Sequence, residues 1–294
     1  MQTLATRKNW AKCHPQSQSP LFAKLPAELL NKVFDFALTP HEDSKSAYSP
    51  EAWYYRPGYH APLRVPTSLL LTCRQAWLIG NHIPLSSTTL SDWFFRGPAS
   101  RLRSDRQQQP TTALSNSRHR LWDMLDRMTY NNLSNINSIH YFAQLFWIEA
   151  LSANPDSLTP FFGPPPPSLC SPISRVTTIT IRHTDWQEWD IDTPLKFNDA
   201  WLRAILNDPR RSYLQSFRLQ LETLTARKQE LDTIVDRLRQ LEGTALLDGN
   251  ELLRFTADET VKIVSWTGTS HINGQTWASY SGSDSISHHS ITIP

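Results

Sequence analysis

The stretch "RVTTITIRH" at residues 175–183 decides the fold class. Its β-branched residues alternate in polarity and predict a strand. Working outward, "FNDAWLRAIL" at 197–206 has helical spacing, and "SFRLQLETL" at 216–224 alternates again as a second strand. "ARKQELDTIVDRLRQLEG" at 226–243 places Leu231, Ile234, Val235, Leu238 and Leu241 on one helical face before Gly243 ends it. "LLRFTADETVKIVSW" at 252–266 supplies further strand. The order β-α-β-α-β predicts an α/β layer with helices covering one face of a sheet. The spacing is too irregular for a solenoid repeat. Beyond Trp266 the chain turns to Ser, Thr, Gly and His, with a hairpin expected at Asn273–Gly274 and a flexible tail over 281–294.

Towards the N-terminus, "NPDSLTPFFGPPPPSLCSP" is a proline-rich spacer (153–174) of polyproline II character. Leu121, Trp122, Leu125 and Met128 form one helical stripe; Leu133, Ile136, His140, Ala143, Trp147 and Ala150 form a second. They predict helices over 118–130 and 132–151, a helical pair spanning 118–152. Residues 96–117 are rich in Arg, Gln, Ser and Thr and are expected to be a linker, and residues 1–20 a disordered arm.

Residues 25–38, "LPAELLNKVFDFAL", carry more apolar surface than one helix face needs. At about 100° per residue the apolar positions sweep an arc of roughly 200°, twice the usual stripe. Pro26 is tolerated in the first turn, and Pro40 limits the far end. "PTSLLLTCRQAWLIGNHIPL" at 66–85 predicts a second helix, from Thr67 or Ser68 to Gly80, apolar nearly all round. Between them the 39–66 loop carries Trp53, Tyr54, Tyr55 and Tyr59, rings expected to fold back onto a core.

With 294 residues, 39% hydrophobic and 19% charged, the chain can build a substantial core. A formal net charge of +2 is too small to make nucleic acid the expected partner. Cys13, Cys73 and Cys170 are widely spaced and form no zinc or disulfide pattern. The absence of an apolar leader at the N-terminus and of a spanning segment leads us to expect a chain of the cytoplasm or nucleus, without membrane attachment.

His183, Asp185, Glu188, Asp190 and Asp192 in "RHTDWQEWDID" (182–192) are the densest titratable group. They allow a remote alternative, a small α/β enzyme using His183 with Asp185 or Asp190. A polar loop after a strand, with Trp186 and Trp189 packing down, is the plainer reading. No GxSxG, P-loop, GxGxxG or HExxH pattern occurs, and no cofactor, metal or catalytic residue is expected. Arg96, Arg101, Arg103 and Arg106, interrupted by Asp105, read as a solvated linker.

Leu25, Pro26, Glu28, Leu29, Val33 and Phe34, followed by Cys73, Arg74 and Trp77 in "LLLTCRQAWLIG", resemble the two helices of an F-box. The wording is closest to fungal F-box-like proteins, and residues 21–95 would form the F-box-like helical region with a 39–66 insertion. The resemblance implies a non-catalytic adaptor. Leu25, Pro26, Leu29, Leu30, Val33 and Phe34 would bind a Skp-type adaptor protein linked to a cullin ubiquitin ligase. Residues 175–280 would form an α/β recognition region for a protein substrate, with Trp186, Trp189 and Trp277 on its surface. The fold expected is mixed α+β and α/β: an N-terminal helical region, then helices, then a C-terminal α/β layer. The alternative within the same fold is an interaction scaffold unconnected to a ligase, in which both apolar helices are simply core.

Overall fold

The computed structural model describes residues 14–50, 52, 54–94, 97–98, 120–125, 127–151, 174–189, 193–207, 214–240, 243–246, 252–255, 262–267, 271–272, 275–276 and 285–293. The chain forms two compact units. One comprises residues up to Ala47 together with Ala61–Thr88; the other comprises Tyr48–His60 and Thr89–Pro294.

In the first unit, the short helix α1 (Pro20–Ala23) precedes α2 (Ala27–Leu38). Pro26 at the N-cap of α2 has φ −57°, already suited to helix entry, and Thr39 closes the far end by donating from Oγ1 to the Asp35 carbonyl. The strands β1 (His41–Glu42) and β2 (Leu63–Arg64) pair antiparallel, so the two ends of the 39–66 loop lie side by side. The single helix expected from Thr67 to Gly80 is instead two elements. A 3-10 turn at Ser68–Leu71 gives way to extended backbone at Cys73, whose Sγ accepts from the Ala76 N–H and caps α3 (Arg74–Gly80). The break rotates the two pieces independently, so that Leu70 from the turn and Ala76 from α3 both reach the core. Phe34, Leu38, Leu70, Ala76 and Ile83, the last from α4 (Ile83–Ser87), form that core.

The second unit runs β3 (Thr89–Trp93), α5 (Arg120–Leu125), α6 (Tyr130–Leu133), β4 (Ser138–Phe142), α7 (Leu145–Leu151), β5 (Val176–Ile181), α8 (Ala200–Asn207), β6 (Ser216–Leu224) and α9 (Lys228–Arg239). There follow β7 (Gly243–Leu246), β8 (Leu252–Phe255), β9 (Lys262–Thr267), β10 (His271–Ile272), β11 (Gln275–Thr276) and β12 (Ser285–Ile293). Strands β3, β4, β5 and β6 are parallel neighbours in chain order; β12 and then β9 extend the sheet antiparallel. Helices and a four-strand parallel sheet make this a mixed α/β chain.

Parallel crossovers are almost always right-handed, so a sheet that grows in one direction receives its helices on one face. The core agrees. Ile139, Tyr141, Ile179, Ile181, Phe217, Leu219 and Leu221 alternate along the strands and meet Leu121, Ile148, Trp201, Ile205, Leu231 and Leu238 of the helices. No helix among the described residues is long and apolar enough to cross a membrane.

Three expectations are corrected. Residues 138–142 within the anticipated 132–151 helix form β4, and Thr89–Trp93, placed with the helical 21–95 region, form β3. Helical spacing in 132–151 is a coincidence of a buried strand and a short helix with one face in the core. Residues 285–293, anticipated as flexible tail, form β12 between β6 and β9, with His288 opposite Glu222. The pairing is a backbone ladder, to which polar side chains are no obstacle. Strands β10 and β11, on either side of the expected Asn273–Gly274 hairpin, pair antiparallel; Asn273 and Gly274 themselves lie outside the described residues. Most of the 96–117 linker and most of the proline-rich spacer lie outside the described residues.

Two stability predictions follow from this packing. A Cβ on Gly80 would lie 2.5 Å from Leu38 Cδ1 and 2.7 Å from Phe34 Cδ1. Gly80→Val is expected to cost about 1–3 kcal/mol in urea unfolding, as overpacking of a filled core does; an unchanged midpoint contradicts this packing. Asp92 on β3 is buried beside Tyr141, and burial pushes its carboxyl up to about 7. A raised folded value favours the protonated form, so its stabilisation is complete below about pH 4 and is lost as pH rises through about 7. Asp92→Asn should flatten the fall in thermal midpoint across that window, and parallel curves for variant and wild type would disprove it.

Candidate functional site

Helix α2 carries two apolar stripes. Phe34 and Leu38, with half-buried Leu30, face the core. Leu29, Val33 and Phe36, spaced i, i+4, i+7, share another face and are 48%, 40% and 90% exposed. Pro26 is also exposed and Leu25 half-buried. Elsewhere in this unit Leu71 of the 3-10 turn is exposed, as are Trp77 and Leu78, because α3 turns Ala76 and Gly80 inward and leaves these larger residues outside. Scattered exposed apolar residues are ordinary, but a stripe of three on one helix is the kind of surface that marks an interaction site.

In the second unit, the sheet face opposite the helices is covered by Tyr48–His60, a strap taken from the middle of the 39–66 loop. Its sequence Arg56-Pro57-Gly58-Tyr59 forms a tight turn: Tyr59 N donates to Arg56 O, and Gly58 has φ +80°. Proline followed by glycine at positive φ is the type II arrangement. Arg56 and Tyr59 are bridge partners across the turn, so both side chains descend on the same side. The base of the strap is closed by Tyr48 N donating to His60 O.

Beneath it lies a polar and aromatic cluster. Trp93 and Phe142 stack with centroids 3.6 Å apart, and Tyr59 meets both edge-on. Arg56 pairs with Glu222 at 2.5 Å, both buried, and lies 5.1 Å from the Phe142 ring and 5.6 Å from that of Trp93. Arg182, 5.4 Å from Trp93, binds Asp185 through Nε at 2.5 Å and a second nitrogen at 2.9 Å. Tyr59 OH meets His140 Nδ1 at 2.6 Å, His140 Nε2 meets Thr180 Oγ1 at 2.6 Å, and Thr180 donates to Gln220 at 2.7 Å. Donor counting orients this relay. The Thr180 proton goes to Gln220, so a neutral His140 donates from Nε2 and accepts at Nδ1 from Tyr59. Burial raises the Tyr59 phenol well above its ordinary value, which keeps it a donor.

Of the two dyads considered for catalysis, His183 with Asp185 is not assembled; Asp190, the other partner considered, lies outside the described residues. Both oxygens of Asp185 are engaged by Arg182, and burial raises this carboxyl while Arg182 pulls it back. His183 Nδ1 is enclosed with no hydrogen-bond partner, and its ring meets Trp189 edge-on. Among the described residues no group of three or more His, Cys, Asp or Glu can hold a metal ion.

The sequence-derived site residues separate accordingly. Leu29, Val33 and Pro26 reach the surface; Phe34 is wholly buried and serves the core of its own unit. Trp186 is buried, donating from Nε1 to the Glu222 carbonyl, so it is not part of a recognition surface; Trp189 is half-buried. Trp277, Asp190 and Asp192 lie outside the described residues. Sequence reasoning misses Arg56, Phe142 and Glu222, places His140 on a helical stripe, and reads Tyr59 only as a ring folding back onto a core. The available signal was the Pro57-Gly58 turn flanked by rings.

What the fold defines is a mixed α/β protein with an exposed apolar helix stripe and a strapped sheet face. Compared with protein-family models, curated proteins and solved structures, the chain has no match.

Burial, opposed by Glu222 and reinforced by Arg56 and Arg182, lowers His183 to about 4. A depressed folded value means that its contribution is complete above about pH 6.5 and is lost as pH falls through about 4. His183→Gln is therefore expected to reduce the acid-side loss of stability, read as thermal midpoint against pH; an unaltered acid limb would contradict the burial of this ring.

Proposed function

We propose that the chain is an F-box-like adaptor that links a protein substrate to a Skp/cullin ubiquitin ligase, with no catalytic role of its own. The observation that carries this reading is the double use of α2. A helix whose Leu30, Phe34 and Leu38 serve its own core still presents Leu29, Val33 and Phe36 to solvent. An adaptor-docking helix needs both stripes, and a helix that is simply core needs only one. The scaffold alternative expects Leu25, Leu29, Leu30 and Val33 to be covered; Leu25 and Leu30 are half-buried, and the exposure of Leu29 and Val33 weighs against it. The F-box-like wording of residues 25–34 and 73–77 supports the choice of a Skp-type protein as partner, and such a role belongs to the cytoplasm or nucleus. The second unit would present the substrate. Coprecipitation with purified Skp-type adaptor tests the reading. Wild type should retain adaptor, and Leu29→Asp with Val33→Asp should reduce retention at least about tenfold while circular dichroism stays unchanged. Absence of adaptor from the wild-type sample rejects the proposal.

A further inference from the structure

Arg56 meets a planar aromatic surface and a carboxylate at once: the rings of Phe142 and Trp93 lie 5.1 and 5.6 Å from its guanidinium carbon, and Glu222 lies 2.5 Å from its terminal nitrogen. A guanidinium beside aromatic rings with a carboxylate on one terminal nitrogen is chemistry by which proteins recognise arginine; the contact here is single, since Arg56 Nε and Glu222 Oε2 are enclosed without a hydrogen bond. The receptor groups all belong to strands of the sheet, on β3, β4 and β6. Arg56 arrives from elsewhere, on a strap whose flanking residues, through Ala47 and from Ala61, belong to the first unit. The strap is held in shape by its own turn and by the Tyr48–His60 bond. It contacts the sheet as a hairpin peptide would.

Charge reinforces this division. Arg56, Arg182, Asp185 and Glu222 balance while the strap is seated. Without Arg56, two buried carboxylates face Arg182 and the buried His183 ring, an excess of negative charge that an entering cation balances, as a proton taken up by the cluster also would. An ammonium group supplies the charge but not the planar fork.

We propose that Trp93, Phe142 and Glu222 form an arginine-recognition site, that Arg56 occupies it in cis, and that an arginine-bearing peptide segment of a partner protein takes its place. The proposal concerns the second unit alone and stands whether or not the first unit binds an adaptor. The test uses the full chain and a fluorescent peptide of the strap sequence YYRPGY, residues 54–59, read by anisotropy. Arg56→Ala should bind the peptide at least about tenfold more tightly than wild type, since the site is then unoccupied. Replacing the peptide's arginine with glutamine, or adding Glu222→Gln to the Arg56→Ala chain, should remove that gain. Equal binding by wild type and Arg56→Ala, or equal binding of the arginine and glutamine peptides, overturns the proposal. Should Arg56→Ala fail to fold, Arg56→Lys keeps the buried charge and gives up the fork. It too should bind the arginine peptide more tightly than wild type, and failure to do so is equally decisive.

Discussion

A parallel sheet whose helices all lie on one side has a second face that needs cover, and most of the second unit answers to that constraint. Main-chain groups of the sheet satisfy one another, but side chains on the uncovered face of β4 and β5 would otherwise stand in water. His140, Phe142, Thr178 and Thr180 are instead buried. The cover is not a helix but a thirteen-residue strap, Tyr48–His60, fixed by one buried ion pair, one phenol–imidazole hydrogen bond and edge-on ring contacts. Aromatic pairs of this kind contribute roughly 0.5–1.5 kcal/mol each. Loss of one partner from a buried ion pair costs about 3–5 kcal/mol, because the other charge is left uncompensated. The ion pair therefore dominates how firmly the strap is held, and its geometry is what gives the sheet face a chemical preference.

The first unit meets a different demand with less material. Its core is small, and Gly80 allows α3 to approach Leu38 and Phe34 more closely than any side chain would permit. That close approach is made along one side of α2 only. The opposite side keeps Leu29, Val33 and Phe36 in solvent, which a small domain tolerates at the expense of solubility.

How far this was legible in the sequence depended on how each strand is buried. Strand β6 and helix α9 could be read because one face meets the core and periodicity records it. Strand β5 is buried on both faces, but its Thr178 and Thr180 face the strap and its Ile179 and Ile181 the core, so the alternation survives in the sequence. The surplus apolar arc of residues 25–38 was readable for the same reason. Strand β4, "SIHYF", has both faces covered, so alternation vanished and a spurious helical spacing took its place. The burial of Glu222 breaks the alternation of β6 near its end, a local sign of cover that means nothing until the strap is placed. Sequence reading anticipated that the tyrosines of the loop would fold back onto a core. It could not give the core's address, since contacts such as Arg56–Glu222 join residues 166 positions apart. Sequence reading takes Trp186 both as packing down and as recognition surface because its sequence neighbours are polar; its spatial neighbours, Phe197 and the Glu222 carbonyl, decide for the core.

Strand β12 carries a consequence for how the molecule comes into being. It is the latest described strand in the chain, yet it sits between β6 and β9, binding β6 along Ile286–Ile293 and β9 along Ser285–Ser290. During synthesis β6 therefore waits with one row of amides and carbonyls unanswered until some sixty further residues have been made, a delay that follows from the separation of residues 224 and 285. An exposed row of that kind is a template for pairing with whatever strand arrives first. The polar composition of "SISHHSITI" suits a strand with that history. A sticky apolar segment emerging last would find other chains as readily as its own sheet. A strand in which six of nine residues are serine, threonine or histidine, with isoleucines only at Ile286, Ile291 and Ile293, keeps most of its affinity in the backbone ladder, where register decides the match.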